Sequence, residues 1–109
     1  MTFEQTPQEI QAELASGERL QFIDVREPQE LILSRIDGAA HVPMQAVPAE
    51  LQKIEALAEE AKLIVICHHG VRSLQVVTWL HQQGVENAVS LTGGIDRWSR
   101  EIDQSIPRY

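Results

Sequence analysis

The run KLIVICHHGVRSLQVVTWLHQQG, which begins at Lys62, constrains the fold more than any other stretch of the chain. Leu63, Ile64, Val65 and Ile66 are apolar without alternation, as in a strand covered on both faces. From Ser73 to Gln83 the apolar residues return at helical spacing, and Gly84 supplies a stop. A buried strand feeding a helix is half of a parallel βα unit, whose crossover covers the sheet.

The same alternation runs through the rest of the chain. Residues 7–17 read as a helix: Pro7 suits its first turn, Ile10 and Leu14 share a face, and Gly17 ends it. LQFIDV at 20–25 reads as a second buried strand, 28–34 as a short helix, and 39–43 as an edge strand that Pro43 limits. Leu51, Ile54, Ala58 and Ala61, with Leu57, make a helical stripe over 48–61. AVSL at 88–91 is another strand. Gly93-Gly94 and an amphipathic helix ending near Ile102 follow it. A chain of 109 residues encloses one core, so residues 1–109 are expected to form a single α/β domain.

Nine Lys and Arg against sixteen Asp and Glu give a formal charge of −7, which disfavours nucleic acids and anionic membranes as partners. It leaves room for a small anion held by local donors. No apolar run approaches the roughly 20 residues that span a bilayer, and the start MTFEQTPQEI lacks the pattern of a secretory signal. A single cysteine excludes an intrachain disulfide and a thiolate-rich zinc site. The expected setting is a reducing, cytoplasmic one.

That cysteine, Cys67, stands where the strand ends and the turn to the next helix begins. Ligands of α/β proteins commonly bind at this edge of the sheet. Gly70 permits close backbone approaches, and N–H groups of the turn and helix start can form an anion cradle. Such donors favour the thiolate, the nucleophilic form of cysteine. Arg72 adds a cation for an anionic substrate, and Ser73 is expected to cap the helix and to reach the sulfur with its hydroxyl. His68 and His69 beside Cys67 raise the question of a metal, but adjacent side chains in a tight turn rarely converge as ligands, so none is expected. His41, His81, Trp79 and Trp98 read as structural residues, and the acidic positions of 50–60 as a solvated face.

CHHGVRS, residues 67–73, resembles the active-site loop of single-domain rhodaneses, the thiosulfate-type sulfurtransferases. The resemblance extends in order through IDVREPQE at 23–30, GAAHVPM at 38–44, WLHQQGV at 79–85 and LTGGIDRWSREID at 91–103. DQSIPRY at 103–109 is similar to the tails of rhodanese domains that accompany sulfur-carrier activating enzymes. It implies a five-stranded parallel sheet in order 1-5-4-2-3 with helices on both faces. It also implies a Cys67 persulfide, with His68, His69, Gly70, Val71, Arg72 and Ser73 forming the substrate loop and no metal or organic cofactor. Asp24, Arg26 and Glu27 would support the site's edge, and Gly93 and Gly94 would bring a neighbouring loop to Cys67. The implied partners are a small anionic sulfur donor and a thiol or protein acceptor, in the manner of a sulfur-carrier system.

Two features depart from the family pattern. Ser34-Arg35-Ile36 stands where many relatives have Gly-His-Ile, and His68 where many have Arg. Two other functions stay open on the sequence. One is a cysteine phosphatase or arsenate reductase; the C-x5-R spacing of that class would put Arg at position 73, where this chain has Ser73. The other is a weakly catalytic domain that recognises a partner.

Overall fold

The computed structural model describes residues 2–109. Its elements alternate: β1 (Glu4–Gln5), α1 (Pro7–Ala15), β2 (Leu20–Asp24), α2 (Pro28–Leu33), β3 (Ala40–His41), α3 (Leu51–Glu60), β4 (Lys62–Ile66), α4 (Val71–Gln82), β5 (Ala88–Leu91) and α5 (Gly94–Glu101). The five strands form one sheet in the order β1-β5-β4-β2-β3, and every pairing is parallel. β4 lies at the centre, with Leu63 beside Ala88 on one flank and Gln21 on the other.

The alternation of side chains across a strand divides the core in two. Leu63, Val65 and Cys67 face one way, packing with Ile54 of α3 and Val76, Val77 and Leu80 of α4. Ile64 and Ile66 face the other way, packing with Ile10 of α1 and Ile95 and Trp98 of α5. Each fully buried aliphatic side chain contributes roughly 1.5–3 kcal/mol relative to exposure. Both faces must therefore be covered, which accounts for the uninterrupted apolar run of β4.

Three sequence expectations need correction. Glu4–Gln5 forms a short edge strand that its polar residues concealed; it pairs with Ser90 and Leu91, and the Gln5 side chain is further held by Lys62 and Glu13. Residues 48–50 lie outside α3, because a 3-10 turn at Met44–Ala46 precedes the helix and Pro48 and Ala49 continue as turn. Ser73 is not the cap of α4. The helix begins at Val71, and Gly70 takes the cap position with φ of 105°. The first helix opens on a reciprocal cap: Thr6 Oγ1 accepts from the Glu9 N–H, and Glu9 Oε1 accepts from the Thr6 N–H.

Candidate active site

Cys67 directly follows β4 and is 1% exposed, its sulfur turned to the side where α4 begins. The Gly70 N–H donates to Sγ at 3.0 Å and the Ser73 N–H at 3.4 Å; the Ser73 hydroxyl lies 3.3 Å from the same sulfur. Two N–H donors and one hydroxyl thus converge on one atom. They do so because the turn reverses within three residues and α4 starts immediately, leaving its first amides without helical partners.

The turn is held from behind by the start of α5. The Ile95 N–H donates to the Cys67 carbonyl at 2.9 Å, and the Asp96 N–H to the His68 carbonyl at 3.2 Å. This approach explains Gly94. A β-carbon there would sit 2.5 Å from the Cys67 carbonyl oxygen, and its φ of 62° is left-handed. Gly93, with φ of 79°, precedes it as the cap of α5. The glycine pair therefore brings its loop against Cys67.

Arg72 reaches across to α2. Its Nη1 donates to Glu30 Oε2 at 2.8 Å and its Nη2 to Glu30 Oε1 at 3.0 Å, in a two-pronged contact. The contact with Arg72, assisted by Tyr109 against the opposing effect of burial, lowers the Glu30 carboxyl to about 2. Arg72 is raised, chiefly by the same partner. The positive charge of Arg72 is thus paired with a carboxylate within the protein.

Tyr109 extends this pair into a chain of polar groups. Its hydroxyl donates to Glu30 Oε1 at 2.7 Å and accepts from Arg26 Nη1 at 2.9 Å. Burial, with the neighbouring carboxylate, pushes the phenol up to about 12, so it stays a donor. Arg26 is 0% exposed and pairs with Asp24 through Nε to Oδ1 at 2.9 Å and Nη2 to Oδ2 at 2.6 Å. Burial works against its charge, but Asp24 and Tyr109 outweigh that and raise its pKa. Asp24, Arg26, Tyr109, Glu30 and Arg72 thus connect the end of β2 to the loop. Glu27 takes another place: it precedes α2, and its Oε1 accepts from Gln45 Nε2 at 2.7 Å.

The mouth of the site is formed by rings and one aliphatic side chain. His68 stacks between His69 and Tyr109, with centroids 3.9 Å away on each side, and its Nε2 donates to the Tyr109 carbonyl at 2.9 Å. Burial, then the adjacent His69, lowers the His68 pKa. Val71 is 68% exposed beside them. A cleft of about 620 Å³ opens along His69, Gly70, Val71 and Leu74. A larger groove of about 830 Å³, lined by Phe22, Ile32 and Trp98 among others, includes none of residues 67–73.

The histidines come closer to a ligand set than adjacent residues were expected to. Ligand atoms of His68, His69 and Asp96 lie within 4.8 Å of one another. Asp96, however, already accepts from Arg108 at 2.9 Å and Arg100 at 3.2 Å, and the Arg108 contact leads in lowering its pKa. Two cations hold the carboxylate that a metal would need. His41 and His81 use Nε2 to donate to the Arg26 and Ala88 carbonyls, each at 2.8 Å.

Three residues at the site were not singled out from the sequence: Glu30, Tyr109 and Ser90. Glu30 reads as one more charge on a short helix, and Tyr109 as a polar tail. Ser90 carried a usable signal, because a single hydroxyl inside the apolar strand AVSL requires a partner when buried. Its Oγ lies 2.7 Å from Ser73 Oγ.

A parallel sheet whose central strand delivers a buried cysteine into a turn of inward N–H groups defines a class: an α/β domain with a cysteine at an anion-type loop. The rhodanese-like domain model matches residues 6–101, and the chain belongs to that family. The chain is 36% identical over 102 residues to the thiosulfate sulfurtransferase GlpE of Haemophilus influenzae, covering 92% of this chain and 91% of that protein. It is 32% identical over 104 residues to the probable adenylyltransferase/sulfurtransferase MoeZ of Mycobacterium tuberculosis, covering 95% of this chain but 26% of that protein. It spans only 26–30% of the longer curated relatives that it matches. Among solved structures, SSP1007 of Staphylococcus saprophyticus superposes with a TM-score of 0.79 at 33% identity, covering 94% and 97% of the two chains. The family's named members include sulfurtransferases, and the fold is theirs.

Proposed function

We propose that this protein is a sulfurtransferase that carries one sulfane sulfur on Cys67. The observation that carries the reading is the convergence of the Gly70 N–H, the Ser73 N–H and the Ser73 hydroxyl on Sγ. Hydrogen-bond donors aimed at sulfur favour its anionic form, the form that attacks. With thiosulfate as donor, the Cys67 thiolate attacks the outer sulfur and the S–S bond to the sulfonate breaks. Sulfite leaves with the electron pair, and Cys67 holds a persulfide. A thiophilic acceptor then attacks the outer sulfur and restores the thiolate. Cyanide would yield thiocyanate, and a thiol a new persulfide.

Thiosulfate is the donor favoured by the likeness to GlpE; a related anionic sulfane donor uses the same steps. Because Glu30 balances Arg72, the loop amides are the main anion donors, with Arg72 at their edge. His68, His69 and Val71 form the rim through which donor and acceptor pass. A sulfur-carrier protein is a fitting acceptor, in view of the partial likeness to MoeZ. We further take residues 1–109 as one rhodanese-like domain working with a reduced thiol, as in the cytoplasm. The described residues contain no helix long and apolar enough to cross a membrane.

The test is intact-protein mass after incubation with thiosulfate without reductant, followed by cyanide. One added sulfur atom and its removal as thiocyanate are expected. No persulfide from thiosulfate or from a small-molecule persulfide overturns the reading. Cys67-dependent release of phosphate from an aryl phosphate would replace it with a phosphatase.

A further inference from the structure

Ser90 lies on β5, is 0% exposed, and shares the sheet face of Ala88, toward α4. Among the described residues its hydroxyl has one partner, Ser73 Oγ at 2.7 Å, the ordinary separation of two hydrogen-bonded hydroxyls. Ser73 Oγ has three neighbours: Ser90 Oγ, Cys67 Sγ at 3.3 Å and the Gly70 carbonyl at 3.3 Å. Each hydroxyl carries one proton, so the direction of the Ser73–Ser90 bond decides what Ser73 can give to the sulfur.

If Ser73 donated to Ser90, the buried proton of Ser90 would have no acceptor, a costly arrangement. Donation from Ser90 to Ser73 satisfies both groups and leaves the Ser73 proton for Cys67 or Gly70. A distance of 3.3 Å is close for a hydroxyl–sulfur contact and long for a hydroxyl–oxygen bond, and the Gly70 carbonyl already accepts from the Leu74 N–H at 3.2 Å. We infer that Ser90 is a positioning residue that fixes the Ser73 hydroxyl as a donor to Cys67 Sγ. Successive hydroxyls polarise one another along the chain, which strengthens the last bond to the thiolate. Ser90 touches no substrate and acts only through Ser73.

This inference rests on Cys67 as the nucleophile but is tested apart from sulfur transfer. The measurement is the rate of Cys67 alkylation by iodoacetamide against pH for wild type, Ser90→Ala, Ser73→Ala and the double variant. None of these substitutions removes Arg72, Glu30, Tyr109, His68, His69 or Asp96, the charged and titratable groups around the loop. Ser90→Ala is expected to slow alkylation at pH 7 roughly five- to tenfold, less than the full worth of a hydrogen bond to a charged atom, because Ser73 keeps its hydroxyl and loses only its fixed direction. The profiles converge where the sulfur is fully ionised. In the Ser73→Ala background the same change is expected to have no further effect, since the route through Ser73 is already cut. An unchanged rate in Ser90→Ala, or an equal slowing in both backgrounds, overturns the proposal.

Should Ser90→Ala fail to fold, the unsubstituted protein decides by NMR. A Ser73 hydroxyl proton with a cross-peak to the Cys67 β-protons supports the assignment, and one directed at Ser90 overturns it. A protein whose alkylation behaves as expected but that forms no persulfide would keep the Ser90 role and lose the sulfurtransferase reading.

Discussion

Glu30 meets Arg72 with both carboxylate oxygens, at 2.8 and 3.0 Å, and so places a fixed negative charge beside the only cation of the loop. The pair joins α2 to the first turn of α4, its two residues 42 positions apart in the chain. The charge presented at the edge of the loop is therefore that of two paired side chains rather than of Arg72 alone.

Glu30→Gln removes the balancing charge and leaves Arg72 free for a dianionic donor. Loading of Cys67 by thiosulfate is expected to speed up about fivefold at low ionic strength, in keeping with a solvent-screened charge change of about 1 kcal/mol. The gain should fade as salt is added. Stopped loading reactions read by mass at two salt concentrations measure both.

The same pair gives an acid-side stability window. Glu30 is lowered from its ordinary 4.5 to about 2, so the folded state holds its carboxylate charged where the unfolded chain would protonate it. Its contribution is full above about pH 4.5 and is lost as pH falls through about 2. Solvent screening keeps it near 1 kcal/mol. Thermal melts of wild type and Glu30→Gln between pH 6 and 2 should therefore converge at the acid end.

Tyr109→Phe keeps the ring against His68 but removes the hydroxyl shared by Arg26 and Glu30. Chemical denaturation should show a loss of about 1–2 kcal/mol. Tyr109→Ala removes the ring as well. Relief of burial should then raise the His68 pKa toward 6.5, followed through its imidazole resonances.

Gly94→Ala should cost more than either tyrosine change. The new β-carbon meets backbone carbonyls of Cys67 and His68, which are themselves bonded to the α5 amides and have little room to yield. A loss on the order of 3 kcal/mol, together with slower persulfide formation from a displaced loop, is the expected result. Denaturation and loading rate measured on one preparation test both parts.

Cys67→Ala should abolish persulfide formation and thiocyanate release while leaving the fold intact, because the buried thiol packs as a small apolar group. Residual loading in that variant would exclude Cys67 as the carrier.

Much of the framework was legible from the chain. The run at 62–66 and AVSL at 88–91 coincide with β4 and β5, because full burial on both faces leaves a plain apolar signature. The turn at 67–73 was legible for a related reason: strand, cysteine, glycine and helix are contiguous. β1 escaped notice because an edge strand of two polar residues is held by backbone bonds, which carry no side-chain pattern. Ser73 was placed one turn too early in its role, since Gly70, not a hydroxyl, makes the left-handed entry to α4.

Local sequence thus determined that Cys67 ends a buried strand and that inward N–H groups follow it. It could not determine which side chains from elsewhere reach that turn. Arg72 found Glu30 and Ser73 found Ser90 because parallel crossovers carry the ends of β2, β4 and β5 to one edge of the sheet, and His68 found Tyr109 because the tail after α5 returns to that edge. The sulfur's nearest donors, Gly70 and Ser73, lie within six residues of Cys67 in the chain, whereas the groups that direct and balance them are brought together only when the sheet assembles.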